Sequence, residues 1–113
     1  MGRMLDASLT VTVGDGVLFE LTVTNAGPEP VVVTFRDGLR ADFAVRTRDG
    51  EEVWRFSDGR MATQVLSEAE FAPGEAATFT ETWPDPDRGD HTAVGELRLA
   101  GDDEVRAATP FSV

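Results

Sequence analysis

His91 is the only imidazole in the sequence, and cysteine is absent. Nucleophilic catalysis by a serine needs a base beside the hydroxyl, so His91 is the one candidate for that role. No Gly-x-Ser-x-Gly motif accompanies it, and such a motif would place a nucleophile on a sharp turn. The lack of cysteine removes thiolate catalysis, disulfides and cysteine-ligated metals. We therefore predict that the chain is not an enzyme and has no catalytic residues.

Closely spaced carboxylates are the second group that could do chemistry. Asp85, Asp87 and Asp90 place oxygen ligands on one turn, as a hard cation such as Ca²⁺ prefers, but the full EF-hand spacing is missing. Paired acids could also act in glycosidic cleavage, yet chance pairs are expected with 21 Asp and Glu residues. The preferred interpretation is a set of solvated turns, without a metal and without a cofactor.

The stretch Asp49–Gln64 is the richest in the chain, with an aromatic strand followed by a glycine-containing loop. In a purely structural interpretation Trp54 is a core aromatic, Phe56 covers an edge, and the residues after it make a turn. In a functional interpretation the loop presents a side chain to a partner. Exposed loops carry binding residues more often than sheet faces do. The candidate contact residues are Ser57, Asp58, Arg60, Met61 and Gln64, and the segment Arg36–Ala41, with Leu39, is an equally exposed alternative.

Apolar and polar residues alternate along most of the chain, which is the period of half-buried strands. In one strand Val17, Phe19, Leu21 and Val23 share a face, while Glu20, Thr22 and Thr24 share the other. Similar alternation covers Leu9–Val13 and Val31–Phe35. The dipeptide Asp49-Gly50 lies between two further strands and predicts a hairpin.

Two segments depart from simple alternation. Met61–Glu70 contains good helix formers but is short and is ended by Pro73-Gly74. We expect a loop that leads into an extended segment, with a single helical turn as the alternative. Asp87–His91 resembles the tyrosine corner of immunoglobulin domains, with histidine in place of tyrosine. His91 should therefore face the core.

Short strands separated by regular turns favour a sandwich of two sheets. We predict one domain, residues 1–113, with an all-β fold: an immunoglobulin-like antiparallel β-sandwich of seven to nine strands with Greek-key connections.

The net charge is −11, from 21 acidic residues and 10 basic ones, and every basic residue is an arginine. Such a surface repels phosphates and anionic lipids, so neither nucleic acid nor a membrane is an expected partner. Acidic surfaces maintain solubility, and with no lysine they are also typical of halophilic proteins. In molar salt the Debye length falls to about 3 Å, which screens the carboxylates from each other. The segment Met1–Asp6 lacks the apolar run of a secretory signal, so we expect a cytoplasmic monomer.

The stretch Asp49–Gln64 and the residues around it resemble the BsuPI-like family of intracellular proteinase inhibitors, in a haloarchaeal-type form. The resemblance extends over about residues 17–100, and its most specific part is Asp49–Gln64. It is carried by Val23-Thr24-Asn25, Gly27, Pro30, Val33, Phe35, Gly38, Asp42–Val45, Asp49–Ser57, Met61, Thr63-Gln64, Pro73–Glu75, Phe79, Trp83 and Gly89.

The resemblance implies a cytoplasmic inhibitor of an intracellular subtilisin-like serine proteinase. Such an inhibitor would insert a loop or strand into the proteinase cleft, with backbone hydrogen bonds along the segment and one apolar side chain in the S1 pocket. Met61 is then the candidate for that pocket. The alternative is an immunoglobulin-like interaction module with a protein partner that is not a proteinase.

Overall fold

The computed structural model describes residues 5–113. Residues 1–4, which belong to the N-terminal stretch predicted to lack a secretory signal, lie outside the described residues. Nine β-strands and no helix are found in the described part of the chain. They are β1 Leu5–Val13, β2 Val17–Asn25, β3 Val31–Phe35, β4 Ala41–Thr47, β5 Glu52–Arg55, β6 Ser67–Phe71, β7 Ala76–Trp83, β8 Asp90–Leu97 and β9 Arg106–Ser112.

All strand pairs are antiparallel, and they form sheets of order β1-β2-β7, β3-β6 and β5-β4-β8-β9. The pairs β2-β7 and β4-β8 join strands that are distant in sequence, as Greek-key connections require. The small β3-β6 sheet meets the extension of β8 through a bridge between Phe35 and Leu99. The prediction of an all-β antiparallel sandwich with seven to nine strands is confirmed.

The core lies between the β1-β2-β7 sheet and the four-stranded sheet. The apolar face predicted for β2 is confirmed, because all four of its side chains are fully buried. Across the sandwich, Phe19 stacks on Phe43 with ring centroids 6.0 Å apart and on Trp54 at 5.7 Å. These offset aromatic contacts link the two sheets and set their separation.

The Asp49-Gly50 hairpin forms as predicted between β4 and β5. Gly50 has φ of 91°, and its N–H donates to the carbonyl of Thr47 at 3.0 Å. Glycine adopts this left-handed conformation without the steric penalty that a Cβ would add. The hairpin fixes the register in which Val45 lies opposite Trp54.

His91 points into the core as predicted, in an aromatic environment made by Trp83 and Phe111, each with its ring centroid 5.3 Å away. The hydrogen bond that defines a tyrosine corner is not made, since His91 Nδ1 is buried and has no partner among the described residues. His91 therefore contributes aromatic packing at this position.

The favoured interpretation of Met61–Glu70 is also confirmed. Residues 61–66 form a loop, and the chain then enters β6 at Ser67. In the described part of the chain there is no helix that is both long and apolar enough to cross a membrane.

Candidate functional site

Residues 57–66, which we call the 57–66 loop, connect β5 to β6 and carry an unusual share of exposed apolar surface. Met61 is 99 % exposed, Val65 61 % and Leu66 64 %. The described chain has seven exposed large hydrophobic residues, and three of them lie in this one loop. Apolar side chains grouped in this way are typical of a surface that binds another molecule.

The loop begins in a tight turn. Phe56 N–H donates to the carbonyl of Phe43, and Asp58 N–H donates to that of Arg55. Gly59 follows with φ of 75°, which lets the chain reverse before Arg60. The turn predicted at Ser57 and Asp58 is therefore present, and Phe56 is buried in the core at its base.

A buried carboxylate, that of Asp42 in β4, holds this turn to the four-stranded sheet. The residue is 1 % exposed. Its Oδ1 accepts the backbone N–H groups of Phe43 at 2.9 Å and Ser57 at 3.0 Å. Its Oδ2 accepts Ser57 Oγ–H at 2.7 Å and Arg55 Nη1–H at 2.9 Å. A buried charge is stable only when it is paired and hydrogen-bonded in this way.

Two arginines neutralise the charge around Asp42. Arg55 also donates to Glu52 from Nε and Nη2, and the hydrogen bond to Glu52, with that to Asp42, raises the pKa of Arg55 above its ordinary value. Arg98 Nη1 lies 3.6 Å from Asp42 Oδ2. Both guanidinium groups are therefore charged at neutral pH.

Arg98 joins this network to the second candidate loop, residues 36–40, which we call the 36–40 loop. Its Nε and Nη2 groups donate to the carboxylate of Asp37, with Nη2 at 2.6 Å. Asp37 Oδ1 also accepts the backbone N–H of Leu39. The side-chain hydrogen bonds from Arg98 lower the pKa of Asp37, and the bond to Asp37 raises that of Arg98.

The two loops lie side by side because of how their strands pair. The 36–40 loop connects β3 to β4 and the 57–66 loop connects β5 to β6, while β3 pairs with β6 and β4 pairs with β5. Gly38 N–H donates to the carbonyl of Thr63 at 3.0 Å. A Cβ on Gly38 would lie 2.5 Å from Thr63 Oγ1, so any other residue at this position would force the Thr63 side chain to move.

The 36–40 loop ends in a strained turn. Arg40 has φ of 66° and is the one non-glycine residue with positive φ among residues 5–113. Ala41 N–H donates to the carbonyl of Leu39 at 2.7 Å, so Arg40 is the central residue of a γ-turn of the uncommon type. Strained backbone of this kind is concentrated at functional sites.

Arg60 secures the 57–66 loop immediately before Met61. Its Nε–H donates to the carbonyl of Phe56 at 2.9 Å, and its guanidinium lies 4.1 Å from the centroid of the Phe56 ring. The stacked cation keeps the backbone ahead of Met61 against the core. Met61 itself projects into solvent.

The structure thus brings together the candidate residues of the two loops. Ser57 is half-buried against Asp42, whereas Asp58, Arg60, Met61 and Gln64 are exposed. Leu39, which was expected to be as exposed as the other candidates, is instead half-buried against the core.

Sequence reasoning missed the residues that support the loops, namely Asp37, Asp42, Arg55 and Arg98. One signal was available: Asp42 is the one polar residue among the first five of β4, Ala41–Val45. Residues 5–113 contain no group of three or more His, Asp or Glu side chains placed to hold a metal ion. The four buried or half-buried charged residues form a hydrogen-bonded support beneath an exposed apolar loop. Such an arrangement is suited to binding another protein.

Several solved structures are similar to this chain. The sporulation control protein Spo0M from Bacillus subtilis matches with a TM-score of 0.59 and 15% identity, over 99% of this chain and 49% of that protein. The C-terminal domain of wzt matches with a TM-score of 0.54 and 13% identity, over 98% of this chain and 70% of that one. A putative β-galactosidase from Bacteroides fragilis matches with a TM-score of 0.50 and 16% identity, over 97% of this chain and 16% of that one.

The chain spans about half the length of Spo0M. Identities this low show a shared fold and nothing about activity. Among curated proteins no match was found.

Residues 5–101 match a protein family described as intracellular proteinase inhibitors, BsuPI. That range includes eight of the nine strands and both candidate loops, and the chain therefore belongs to the BsuPI family of intracellular proteinase inhibitors.

Proposed function

We propose that the chain inhibits an intracellular subtilisin-like serine proteinase by placing the 57–66 loop in the proteinase cleft. The family consists of proteinase inhibitors, which are not enzymes, and it is described as intracellular. The observation that carries the proposal is the exposure of Met61, which is 99 % exposed on a loop that is held at its base. Subtilisin-like S1 pockets accept apolar side chains of this size.

The backbone of the loop supports the same mode of binding. Within the described chain, residues 61–66 donate no backbone hydrogen bond, and of their carbonyl oxygens only that of Thr63 accepts one from a backbone N–H. The carbonyl of Ala62 accepts a long hydrogen bond of 3.5 Å from the Gln64 side chain, which is exposed and can give way to a partner strand. Proteinase clefts bind extended segments by this kind of strand addition, and the side chains then give specificity.

Stoichiometric titration of an intracellular subtilisin with the whole protein tests the proposal. We expect activity to fall linearly to near zero at one equivalent, with a metalloproteinase unaffected as a class control. Hydrogen exchange on the complex should show protection of residues 57–66. Full proteinase activity at micromolar protein would refute the proposal, and a partner that is not a proteinase would then be favoured.

We further propose that the protein acts as a cytoplasmic monomer of haloarchaeal type. The support is compositional: a net charge of −11 with no lysine. Molar salt shortens the Debye length to about 3 Å and so relieves repulsion between carboxylates. Dialysis to dilute buffer should therefore unfold the protein, as followed by circular dichroism, and an unchanged cooperative melt in dilute buffer would refute the halophilic assignment.

A further inference from the structure

We infer that Asp42 is a positioning residue whose buried carboxylate keeps the 57–66 loop in a shape that a proteinase binds but cleaves slowly. The inference rests on the proposed function and adds the feature that would make the loop an inhibitor rather than a substrate. It follows from three properties of the structure: the burial of Asp42, the destination of its hydrogen bonds, and the spacing of the other contacts along the loop.

The burial of Asp42 is difficult to explain by stability alone. The residue is 1 % exposed, and its strand neighbours Ala41, Phe43 and Val45 are all buried and apolar. Replacing buried ion pairs by apolar residues often leaves stability unchanged or higher. Successive side chains of a strand point to opposite faces, so Asp42 lies on the face away from Ala41, Phe43 and Val45. There it contacts Arg55, Ser57 and Arg98 and adds nothing to the apolar core. A buried charge in that position indicates a role in the placement of its partners.

The partners of Asp42 lie at the start of the 57–66 loop and just before it. Of its four hydrogen bonds, three come from Arg55 and Ser57, and two of these three come from Ser57 alone. Ser57 is thereby fixed through both its backbone and its side chain. Bonds to a charged acceptor are stronger than neutral ones, so the first residue of the loop is held firmly.

Two further contacts hold the loop on either side of Met61. Arg60 is bound to Phe56 by its Nε hydrogen bond and its ring contact. Thr63 accepts the N–H of Gly38. The peptide bond between Met61 and Ala62 therefore lies between fixed points, and its two ends would stay together after cleavage. Such preorganisation favours tight binding and religation over release of cleaved product.

The test compares cleavage at Met61-Ala62 in variants of the whole protein. Asp42→Asn keeps the shape and removes the charge, and Ser57→Ala removes a single hydrogen bond in case Asp42→Asn does not fold. Asn25→Ala is the matched control, because Asn25 is also fully buried and holds a different loop through bonds to Gly27, Glu29 and Phe71. Each variant is incubated with catalytic amounts of subtilisin at a temperature below its measured melting transition, so that the folded protein is the substrate. The fragments are then identified by mass spectrometry.

We expect Asp42→Asn to be cut at Met61-Ala62 about tenfold faster than the wild type, the change that loss of a charged hydrogen bond gives. Ser57→Ala should be cut several times faster, and Asn25→Ala at the wild-type rate. Equal cleavage of the wild type and both loop variants, or equal acceleration in Asn25→Ala, would overturn the inference. A wild type that does not inhibit, together with accelerated cleavage of Asp42→Asn, would refute the proposed function and leave Asp42 as a positioning residue.

Discussion

Substitution of Met61 gives the most direct measure of how the loop binds. Because the side chain is 99 % exposed, nearly all of its apolar surface is available to enter a pocket. Complete burial of a methionine side chain contributes roughly 1.5–3 kcal/mol. Met61→Ala should therefore weaken inhibition by roughly 10- to 150-fold, since each 1.4 kcal/mol is a factor of ten.

Met61→Asp should weaken inhibition further, because a carboxylate would have to enter an apolar pocket without a partner. Neither substitution should affect folding. Surface changes of this kind usually alter stability by less than about 0.5 kcal/mol. Inhibition constants are measured by progress curves against an intracellular subtilisin, and most of the change should appear in the dissociation rate.

Val65→Ala is the matched control, because Val65 is an apolar residue on the same loop and is 61 % exposed. Its effect should be small if Met61 alone fills the pocket. Inhibition constants for both Met61 variants within twofold of the wild type would refute the assignment of Met61 to S1. A large fall in melting temperature would show instead that Met61 supports the fold.

Three further predictions concern the elements that hold the site. Trp54→Ala should lower the free energy of unfolding by about 3 kcal/mol, near the lower end of the range for a buried tryptophan. The cost arises because the half-buried ring stacks on Phe19 and Trp83. Thermal denaturation should show a fall in melting temperature of roughly 10 °C. Gly38→Ala should cost about 1–3 kcal/mol through overpacking against Thr63, and Thr63→Ala in the same chain should recover much of it, as a double-mutant cycle in denaturant would show. Because the pKa of Asp37 is lowered in the folded protein, this residue stabilises the fold at pH values above its unfolded-state pKa of about 3.9. The contribution is lost as the pH falls through the folded-state pKa of Asp37. In urea titrations at several pH values, Asp37→Asn should flatten the acid limb, and an unchanged limb would contradict the role of the Asp37–Arg98 pair.

Local patterns were sufficient to predict most of the fold. Alternation alone identified the buried face of β2, and Asp49-Gly50 identified the β4-β5 hairpin. The start of β1 was less accessible: the strand begins at Leu5 rather than Leu9, because Ala7 and the short polar residues around it give a weak alternating signal. In each case the success of the prediction depended on residues that are close together in the sequence.

The support of the candidate site could not be predicted in that way. An aspartate on the outward face of a strand predicts a solvated carboxylate, yet Asp42 is buried. Its burial depends on Arg55, Ser57 and Arg98, which come from different segments of the chain. No local period contains that information, since long-range pairing alone brings the donors together.

The same pairing resolves why two loops were equal candidates from sequence. Each was proposed on its own turn residues, with Leu39 in one and Met61 in the other. Antiparallel pairing of β3 with β6 and of β4 with β5 obliges the connections β3-β4 and β5-β6 to run side by side, and the Gly38–Thr63 hydrogen bond joins them. A proteinase that receives Met61 would therefore meet Arg40 and the outer side of the 36–40 loop at the same time. For this reason the protected region in hydrogen exchange should extend beyond residues 57–66 to the amides of residues 36–40, and protection confined to one loop would mean that the second loop only supports the first.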